Sequence, residues 1–365
     1  MQRFFYAQRL GEKFRNYDHL RDVLDNFICD IARGNRRTSV GQESMNVLKS
    51  VVLMLAMLVL ADVAEARRLV VATGSGEMAG AISVAIARGF CAEERVDVAI
   101  RPYSNSFEGL KGMLRGEADL VAVNRTGFVL ADPDPQRVCI LAMLSTTENQ
   151  TKILCRQKSG INSMRDLLGK KIGVVYGSSG HYYLDAFLEA HGLNPQKLRI
   201  VEMKKKEMPC ALATGEIDAM AQHGVPTETA LRLMRGQPVI IFCENGIDVK
   251  TAWLVSTRQT AREQAVKIKR LLRAIEKGNQ YIPRRPYQAS RLISSIRGQS
   301  YTGVLNYISN EIRYTLKEGR GHVRDFSVLE EWAEEHGYLE RRSRRNYSLF
   351  WEPKLLRDAF PGEIR

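Results

Sequence analysis

The chain has 365 residues, of which 54 are lysine or arginine and 41 are aspartate or glutamate, so that its formal net charge is +13. This excess favours anionic partners in general, but the basic residues are spread along the chain and no nucleic-acid-binding motif accompanies them, which argues against a nucleic-acid-binding protein. The six cysteines include no C-x-x-C pair, which leaves zinc-finger and thioredoxin-type chemistry without support.

The first predicted element is an export signal. The apolar run Val51–Ala61 follows Lys49 and precedes the tripeptide Ala64–Ala66, whose small-x-small order is that of a signal-peptidase site. A membrane-spanning helix needs about 20 apolar residues, and this run is shorter. We therefore expect Met45–Ala66 to be a cleaved signal peptide that directs the protein to the periplasm. Translation then starts at the first residue of this segment, or residues 1–44 form an N-terminal extension.

Beyond the predicted signal, strand-like apolar runs alternate with helix-like amphipathic stretches. This alternation predicts an α/β protein with largely parallel sheets. The predicted strands are Leu69–Ala72, Val96–Arg101, Leu120–Val123, Val138–Ser145, Lys152–Cys155, Lys171–Val175, Leu198–Val201, Ala219–Ala221 and Val239–Cys243. The predicted helices between them are Met78–Gly89, Phe107–Arg115, Ser163–Leu168, His181–His191, Lys206–Thr214 and Pro226–Met234.

The pattern changes from about Glu263 to the C-terminus. There the spacing of apolar residues predicts helices only, through Lys277 and then over Tyr287–Ile296, Val304–Lys317 and Phe326–His336. The tail that follows, Asn346–Arg365, carries aromatic side chains that we expect to pack back onto the body of the protein.

Two predicted strand–helix turns consist of small residues. One is Gly177–Gly180, which reads GSSG, and the other is Gly74–Gly76, which reads GSG. Small residues permit a tight turn, and the free N–H groups at the start of a helix can bind an anion. The second turn lacks the glycine spacing of a dinucleotide-binding fingerprint and the G-K-[ST] sequence of a P-loop. Such a turn is either an anion-binding site or a plain turn.

Three segments, in chain order, carry a resemblance to a known family. Residues 108–127 read EGLKGMLRGEADLVAVNRTG, residues 158–203 read KSGINSMRDLLGKKIGVVYGSSGHYYLDAFLEAHGLNPQKLRIVEM, and residues 207–233 read EMPCALATGEIDAMAQHGVPTETALRL. They resemble the first- and second-lobe elements of periplasmic solute-binding proteins of ABC transporters, in the nitrate/sulfonate/taurine (NMT1-like) family. Members of that family often have an acidic or Trp-Asp/Glu-Pro element where this chain reads QHGVP, at residues 222–226.

The resemblance implies a two-lobed periplasmic-binding-protein-like α/β fold of type II, with two Rossmann-like lobes, a hinge and a helical C-terminal region. Lobe one would comprise residues 67–151 and 249–365 and lobe two residues 152–248, and the lobes would close around a ligand by hinge motion. The implied function is to capture a small anionic organic solute, such as a sulfonate, nitrate or taurine, for an ABC importer. The permease and ATPase of that importer are the expected partners of a monomer without cofactor, metal or catalytic group.

The ligand of such a fold is expected at the carboxyl ends of the strands. The residues that this rule and the resemblance predict for the site are, in lobe one, Ser75, Gly76, Asn124 and Arg125, near the hinge, Thr146 and Thr147, and in lobe two, Ser178, Ser179, Gly180, His181, Gln222 and His223. A guanidinium at Arg125 suits a carboxylate or a sulfonate. The alternatives are an ion-pair role for this arginine and ordinary surface or hydrogen-bonded roles for the two histidines.

Two other functions remain open at the level of sequence. The opening TGSGEMAG and the loop from Gly224 to Pro226 resemble the solute receptors of TRAP-TAXI transporters, which share the fold. An enzyme on the same scaffold, similar to a thiamine-pyrimidine synthase, is the other alternative. The export signal and the lack of the cysteine-rich stretch of that enzyme family argue against it, and the chain has neither a G-x-S-x-G nor an H-E-x-x-H motif.

Overall fold

The strands of the protein fall into two separate sheets. The computed structural model describes residues 68–74, 76–148, 150–341 and 345–363, so that residues 1–44, the predicted signal peptide Met45–Ala66 and Ser75 lie outside the described residues. In chain order the strands are β1 (Leu69–Thr73), β2 (Val98–Pro102), β3 (Leu120–Asn124), β4 (Val138–Thr147), β5 (Lys152–Arg156), β6 (Lys171–Val174), β7 (Arg199–Glu202), β8 (Ala219–Gln222), β9 (Val239–Phe242), β10 (Lys250–Thr257) and β11 (Ile312–Lys317).

Helices cover both sheets. In chain order they are α1 (Gly80–Ala87), α2 (Phe90–Glu93), α3 (Ser106–Leu114), α4 (Arg125–Leu130), α5 (Ser179–Ala190), α6 (Met208–Thr214), α7 (Val225–Leu233), α8 (Arg258–Glu263), α9 (Ala265–Arg284), α10 (Pro286–Arg297), α11 (Tyr301–Asn310), α12 (Val323–Glu335) and α13 (Lys354–Ala359). Short 3₁₀ turns occur at Glu77–Ala79, Gln157–Ser159, Met164–Leu167, Pro195–Lys197, Arg320–His322 and Tyr347–Phe350.

The two sheets define two lobes, as the family resemblance implied. Lobe one is the six-stranded sheet, in the order β11-β4-β10-β3-β1-β2, with the helices that pack on it. Lobe two is the five-stranded sheet, in the order β7-β6-β8-β5-β9, with its own helices. The chain passes from lobe one to lobe two between β4 and β5 and returns between β9 and β10, so two segments join the lobes.

The prediction of largely parallel sheets is wrong, because both sheets are mixed. Strand β1 runs parallel to β2 and β3, and β6 runs parallel to β7 and β8. Strand β10 is antiparallel to β3 and β4, β11 is antiparallel to β4, and β5 is antiparallel to β8 and β9. The strands next to the two chain crossings, β4, β5, β9 and β10, all take part in antiparallel ladders. Parallel neighbours need a crossover connection, usually a helix, whereas these strands are joined to the other lobe by the crossing segments.

The nine predicted strands are confirmed within a few residues, but two strands were missed. Strand β10 is buried over residues 250–256, as a central strand is, but only the four residues 252–255 are apolar. Strand β11 corrects the prediction of a helix over Val304–Lys317: helix α11 ends at Asn310, and the six residues from Ile312 pair with the edge of β4. Its short alternating sequence, IRYTLK, adopts a strand because an edge is available there, which is a tertiary effect.

The core of lobe one has two halves, one on each face of its sheet. Leu69 and Val71 of β1 pack in the half formed with α1 and α9, whereas Ala72 lies in the other half, as the alternation of side chains along a strand requires. The second half includes α3, α4 and α12. It also receives the C-terminal tail, where Phe350 packs edge-on against Phe128 with ring centroids 5.0 Å apart, which confirms the predicted packing of the tail.

No helix within the described ranges combines the length and the hydropathy that a membrane crossing requires.

Candidate functional site

The loop after β3 places Arg125 at the start of α4. Asn124 is the N-cap of this helix, and its side-chain oxygen accepts a hydrogen bond from the Gly127 N–H at 2.7 Å. This bond satisfies one of the free donors at the helix start. The hydroxyl of Ser106 donates to the same oxygen at 3.1 Å. Asn124 is thus engaged in holding the turn that positions Arg125.

Arg125 is a buried cation whose charge is balanced within the protein. Its Nη2 donates to Asp248 Oδ1 at 2.5 Å, and its Nη1 lies 3.5 Å from Asp325 Oδ2. The guanidinium also lies over the ring of Tyr182, 5.6 Å from the ring centroid. Because Asp248 belongs to the segment between β9 and β10 and Tyr182 belongs to α5, these contacts join the two lobes. Of the roles that the sequence left open, this geometry is that of an ion-pair residue between the lobes.

The GSSG turn after β6 is a helix start packed closely on β8. The Ser178 hydroxyl is the N-cap of α5 and accepts from a backbone N–H three residues on, at 3.3 Å. A Cβ at Gly180 would lie 2.6 Å from the Ala221 carbonyl oxygen, so only glycine permits this approach. The Ser179 hydroxyl lies 3.3 Å from His223 Nε2. The turn therefore brings Ser179 and His223, which the sequence placed in different loops, into contact.

Four buried side chains around the two chain crossings form what we call the donor cluster: Thr147, Thr151, Gln222 and Lys250. Lys250 lies beside Thr147 in the ladder of β10 and β4, and Gln222 pairs with the residue after Thr151 in the ladder of β8 and β5. Their exposed fractions are 2, 1, 0 and 6% in that order. Thr147 Oγ1, Thr151 Oγ1, Gln222 Nε2 and Lys250 Nζ have no hydrogen-bond partner among the described residues.

The electrostatic environment of the donor cluster is that of a buried positive site. Burial lowers the pKa of Lys250 to about 7, and the nearby charge of Asp248 offsets only part of this effect. Burial also lowers the pKa of His223 well below its ordinary value, and the positive charges of Lys250 and Lys205 lower it further. An anion placed among these groups would be attracted by the charge and would stabilise the protonated lysine.

Tyr307 of α11 brings a further buried hydroxyl to this region. Burial raises its pKa well above the ordinary value, and its oxygen has no hydrogen-bond partner in the part of the chain that the structure describes. The Thr147 hydroxyl is near enough to influence this tyrosine, but the two groups do not meet hydrogen-bond geometry. Tyr307 therefore offers the donor cluster an additional O–H group from lobe one.

Gly76 lies in a turn whose backbone carbonyls accept hydrogen bonds from an arginine of α10. Arg297 Nη1 donates to the Gly74 carbonyl at 3.0 Å and to the Gly76 carbonyl at 2.6 Å. A Cβ at Gly74 would lie 2.7 Å from the Ser106 backbone nitrogen, so this turn requires glycine for a close approach of two backbones. The backbone carbonyl of Gly76 is thus occupied by an arginine from the C-terminal part of the chain.

Thr146 and Thr147 were both predicted as site residues, but their side chains point to different parts of the protein. Successive side chains of a strand point to opposite faces of the sheet. Thr147 belongs to the donor cluster, whereas Thr146 lines a surface cavity of about 670 Å³ that Met143, Arg313 and His322 also line. A second surface cavity, of about 480 Å³, lies between α9 and β11 and shares Tyr314, Thr315 and Lys317 with the first.

His181 packs against α12 and the segment that follows it. It belongs to what we call the histidine cluster: His181, Asp185 and His336. The His181 Nδ1 lies 3.0 Å from the Tyr338 hydroxyl, and Asp185 Oδ2 accepts from Trp332 Nε1 at 2.9 Å. Burial lowers the pKa of His181 to about 4, with a smaller effect of His336, and burial raises the pKa of Asp185. Of the predicted site residues, Thr147 and Gln222 thus belong to the donor cluster and His181 to the histidine cluster, and the other described ones lie outside both.

Sequence reasoning missed Lys250, Thr151 and Tyr307, and it also missed the partners of His181. No motif marks these residues. One signal was available: Lys250 stands two residues before the apolar run AWLV, residues 252–255, and a lysine is almost never fully buried unless it has a partner. Asp185 lies one helical turn from His181, but Tyr338 lies 157 residues further along the chain, and no local pattern connects it or the nearby His336 to His181.

Comparison with known proteins gives a family match and a fold match. The NMT1/THI5-like family model matches residues 78–289, which is more than half of the chain. The chain is similar in structure to the periplasmic aliphatic sulphonate binding protein SsuA from Escherichia coli, with 15% identity, a TM-score of 0.68, and coverage of 78% of this chain and 92% of that chain. It is also similar to the periplasmic nitrate-binding protein NrtA from Synechocystis PCC 6803, with 11% identity, a TM-score of 0.60, and coverage of 80% of this chain and 88% of that chain.

A curated relative from Brucella abortus is named as a binding protein and is 24% identical over 176 residues. This match covers 48% of this chain and 48% of the relative, so the chain spans about half the length of the curated relatives that it matches. The structural similarities, at their low identities, show the fold, and they confirm the two-lobed fold of type II. The family match confirms the resemblance seen in the three sequence segments: the chain belongs to the NMT1/THI5-like family.

Proposed function

We propose that the protein is the periplasmic solute-binding component of an ABC importer and that it holds a small organic anion between its two lobes without catalysing a reaction. The anion is of the sulfonate, nitrate or taurine type. The permease and ATPase of the importer are its partners. Support comes from the family, from the likeness of the fold to binding proteins named for sulphonate and nitrate, and above all from the donor cluster.

The single observation that carries the proposal is the unpartnered, buried state of the donor cluster. Its four side chains are all more than nine-tenths buried, and each has an N–H or O–H group that no described residue accepts. A buried donor without a partner costs about 1–3 kcal/mol. A sulfonate or nitrate offers three acceptor oxygens on one small group, so it would satisfy several of these donors at once.

The charge of the site favours an anion over a neutral solute. Lys250 is the buried cation of the cluster, and the adjacent Asp248 is shared with Arg125. Arg125 is balanced by Asp248 together with Asp325, and the positive charge of Lys205 adds to that of Lys250 in this region. These two lysines attract an anion, and the low dielectric of a buried site strengthens the attraction.

A ligand screen tests the proposal. The chain purified from the periplasm would be heated with alkanesulfonates, taurine and nitrate, and with pyrimidines, dicarboxylates and amino acids for comparison. We expect a sulfonate, taurine or nitrate to raise the melting temperature, because a ligand that binds only the folded state at a hundredfold excess over Kd stabilises it by about 2.7 kcal/mol. Stabilisation by a neutral pyrimidine alone would contradict the proposal.

A matched pair of lysine variants connects the result to the site. Lys250→Met removes the buried cation, whereas Lys354→Met removes a lysine whose side chain is 73% exposed on α13. Loss of the stabilisation in the first variant and its retention in the second are expected. Equal behaviour of the two variants would move the ligand away from the donor cluster.

The partner and the location need their own tests. Permease and ATPase genes beside the gene for this protein are expected, and TRAP membrane subunits there would favour the TRAP-TAXI alternative. Intact-mass measurement of periplasmic protein should give a chain that begins at Arg67. A periplasmic species that retains Met45 would contradict cleavage after Ala66.

A further inference from the structure

The histidine cluster brings three metal-binding side chains together from the two lobes. His181 and Asp185 are one helical turn apart on α5 of lobe two, and residues at this spacing lie on the same face of a helix. His336 directly follows α12, which packs against α4 of lobe one. One ring nitrogen of each histidine and one carboxylate oxygen lie within 4.8 Å of one another.

In the histidine cluster, a hydrogen-bond acceptor of a histidine ring lies next to an acceptor oxygen of Asp185. His336 Nδ1 lies 2.8 Å from the Trp332 carbonyl oxygen, which can only accept, so this nitrogen carries the hydrogen. In the neutral ring, Nε2 then presents a lone pair, and it lies 3.1 Å from Asp185 Oδ2. The same oxygen lies 3.7 Å from His181 Nε2. A proton or a metal ion between these atoms would turn this repulsion into attraction.

The distances suit a metal ion with small adjustments. Zinc binds histidine nitrogen at about 2.0–2.1 Å and carboxylate oxygen at about 2.0–2.2 Å in tetrahedral sites, which sets neighbouring ligand atoms about 3.3 Å apart. The separations from Asp185 Oδ2, 3.1 Å to His336 and 3.7 Å to His181, lie on either side of this value. The His336 side chain is 33% exposed, so a small shift of this ring can make the adjustment.

Outer partners hold the two rings in place. The Tyr338 hydroxyl contacts His181 Nδ1 at 3.0 Å, and the Trp332 carbonyl accepts from His336 Nδ1. Metal-binding histidines usually have such a partner on their second nitrogen, because it fixes the tautomer and the ring orientation. Trp332 also donates to Asp185 Oδ2 at 2.9 Å, so the third side chain is oriented as well.

We propose that His181, Asp185 and His336 bind one divalent transition-metal ion such as Zn²⁺, with water as the fourth ligand. The ion connects α5 of lobe two to the segment after α12 of lobe one, and it therefore stabilises the arrangement in which the lobes are in contact. Neutral nitrogens and a carboxylate are ligands that zinc accepts. The donor cluster takes no part in this site.

Zn²⁺ titration of the chelator-treated, full-length protein by calorimetry tests the proposal. We expect one saturable site per chain. His336→Gln and Asp185→Asn should each weaken Zn²⁺ binding by about 100-fold or more, since loss of an outer partner alone already costs 10–100-fold. The matched control is His191→Gln: His191 follows the same helix and contacts one carboxylate, Glu244, at 2.8 Å, so its loss should leave the affinity unchanged. Co²⁺ should give the visible absorption of a tetrahedral site, and His336→Gln should remove it.

Three results would overturn the proposal: no saturable Zn²⁺ binding, binding that His336→Gln and Asp185→Asn leave intact, or binding that His191→Gln abolishes. The first would mean that a proton, and not a metal ion, lies between the carboxyl group and the ring nitrogens. Because this test uses Zn²⁺ alone and the anion screen can be run in the presence of a chelator, failure of one proposal is distinguishable from failure of the other.

Discussion

The donor cluster and the histidine cluster lie at two places where the lobes meet, and their hydrogen-bonding polarity is opposite. At the donor cluster, buried N–H and O–H groups have no acceptor among the described residues. At the histidine cluster, a carboxylate oxygen is approached by two ring nitrogens, one of which presents a lone pair. A set of donors calls for an anion, and a set of acceptors calls for a cation or a proton. The two proposals therefore assign ligands of opposite charge to two places in one junction.

The largest expected effect is a loss of stability on removal of Arg125, which tests whether this arginine is a structural ion-pair residue or a ligand-binding residue. Arg125→Ala should destabilise the protein by about 3–5 kcal/mol, because it leaves the buried Asp248 without its partner. Urea unfolding of the ligand-free protein measures this effect. Arg68→Ala, at an exposed pair with Asp97, is the control and should change stability little. If Arg125→Ala keeps full stability and abolishes anion binding, Arg125 belongs with the donor cluster and the division drawn here fails.

Lys250→Met should weaken anion binding by about 2–5 kcal/mol, which is the usual cost of truncating one partner of a buried charge contact. The same change should raise the stability of the ligand-free protein at neutral pH, because it removes the need to bury a charge. Calorimetry and thermal unfolding give the two quantities. Zn²⁺ binding at the histidine cluster should stay the same. A variant that loses both ligands would show that the two clusters are one site.

Neighbouring threonines provide a matched pair for a smaller effect. Thr147→Val should weaken anion binding by about 1.5–3 kcal/mol, the value of a hydrogen bond to a charged group. Thr146→Val should have no effect, since that residue lines the surface cavity beside Met143. Calorimetry on both variants decides this, and a larger loss in Thr146→Val would place the ligand on the other face of β4.

Anion affinity should depend on pH through Lys250. Its pKa in the folded, ligand-free protein is lowered by burial to about 7, and Asp248, Lys205, Arg125 and Cys243 are the charged or titratable groups that act on it. An unfolded chain holds this proton up to about pH 10.4. Between these values the unfolded state binds more protons, so the stability of the ligand-free protein rises with pH.

The anion itself favours the protonated lysine. Its affinity should therefore be constant below about pH 7 and fall by up to about tenfold per pH unit above it. Calorimetry from pH 6 to pH 9 measures the slope, and Lys250→Met should remove it. An affinity that rises with pH, or a slope that persists in the variant, would exclude Lys250 as the anion's cation.

Sequence by itself determined the nine confirmed strands, and the family resemblance gave the two-lobed fold. These depend on apolar runs bounded by polar turns and on the order of three family-like segments. Helix α4, with Asn124 as its N-cap, was not predicted. The GSSG turn could also be recognised in the sequence. The close approach to the Ala221 carbonyl requires glycine at position 180, and this requirement appears in the sequence as a short run of small residues.

Only the tertiary structure decided the direction of the sheets, strand β11 and the membership of the two clusters. Thr146 and Thr147 point to opposite faces of the sheet in which β4 pairs with β10 and β11. Which of the two faces the junction depends on how this sheet is placed in the fold. Lys250 is buried because a chain returning through the hinge places it beside Thr147, and His181 meets His336 because α12 packs against the start of α5. Such contacts join residues about 100 or more positions apart. No local period encodes them, since they arise from the packing of whole elements.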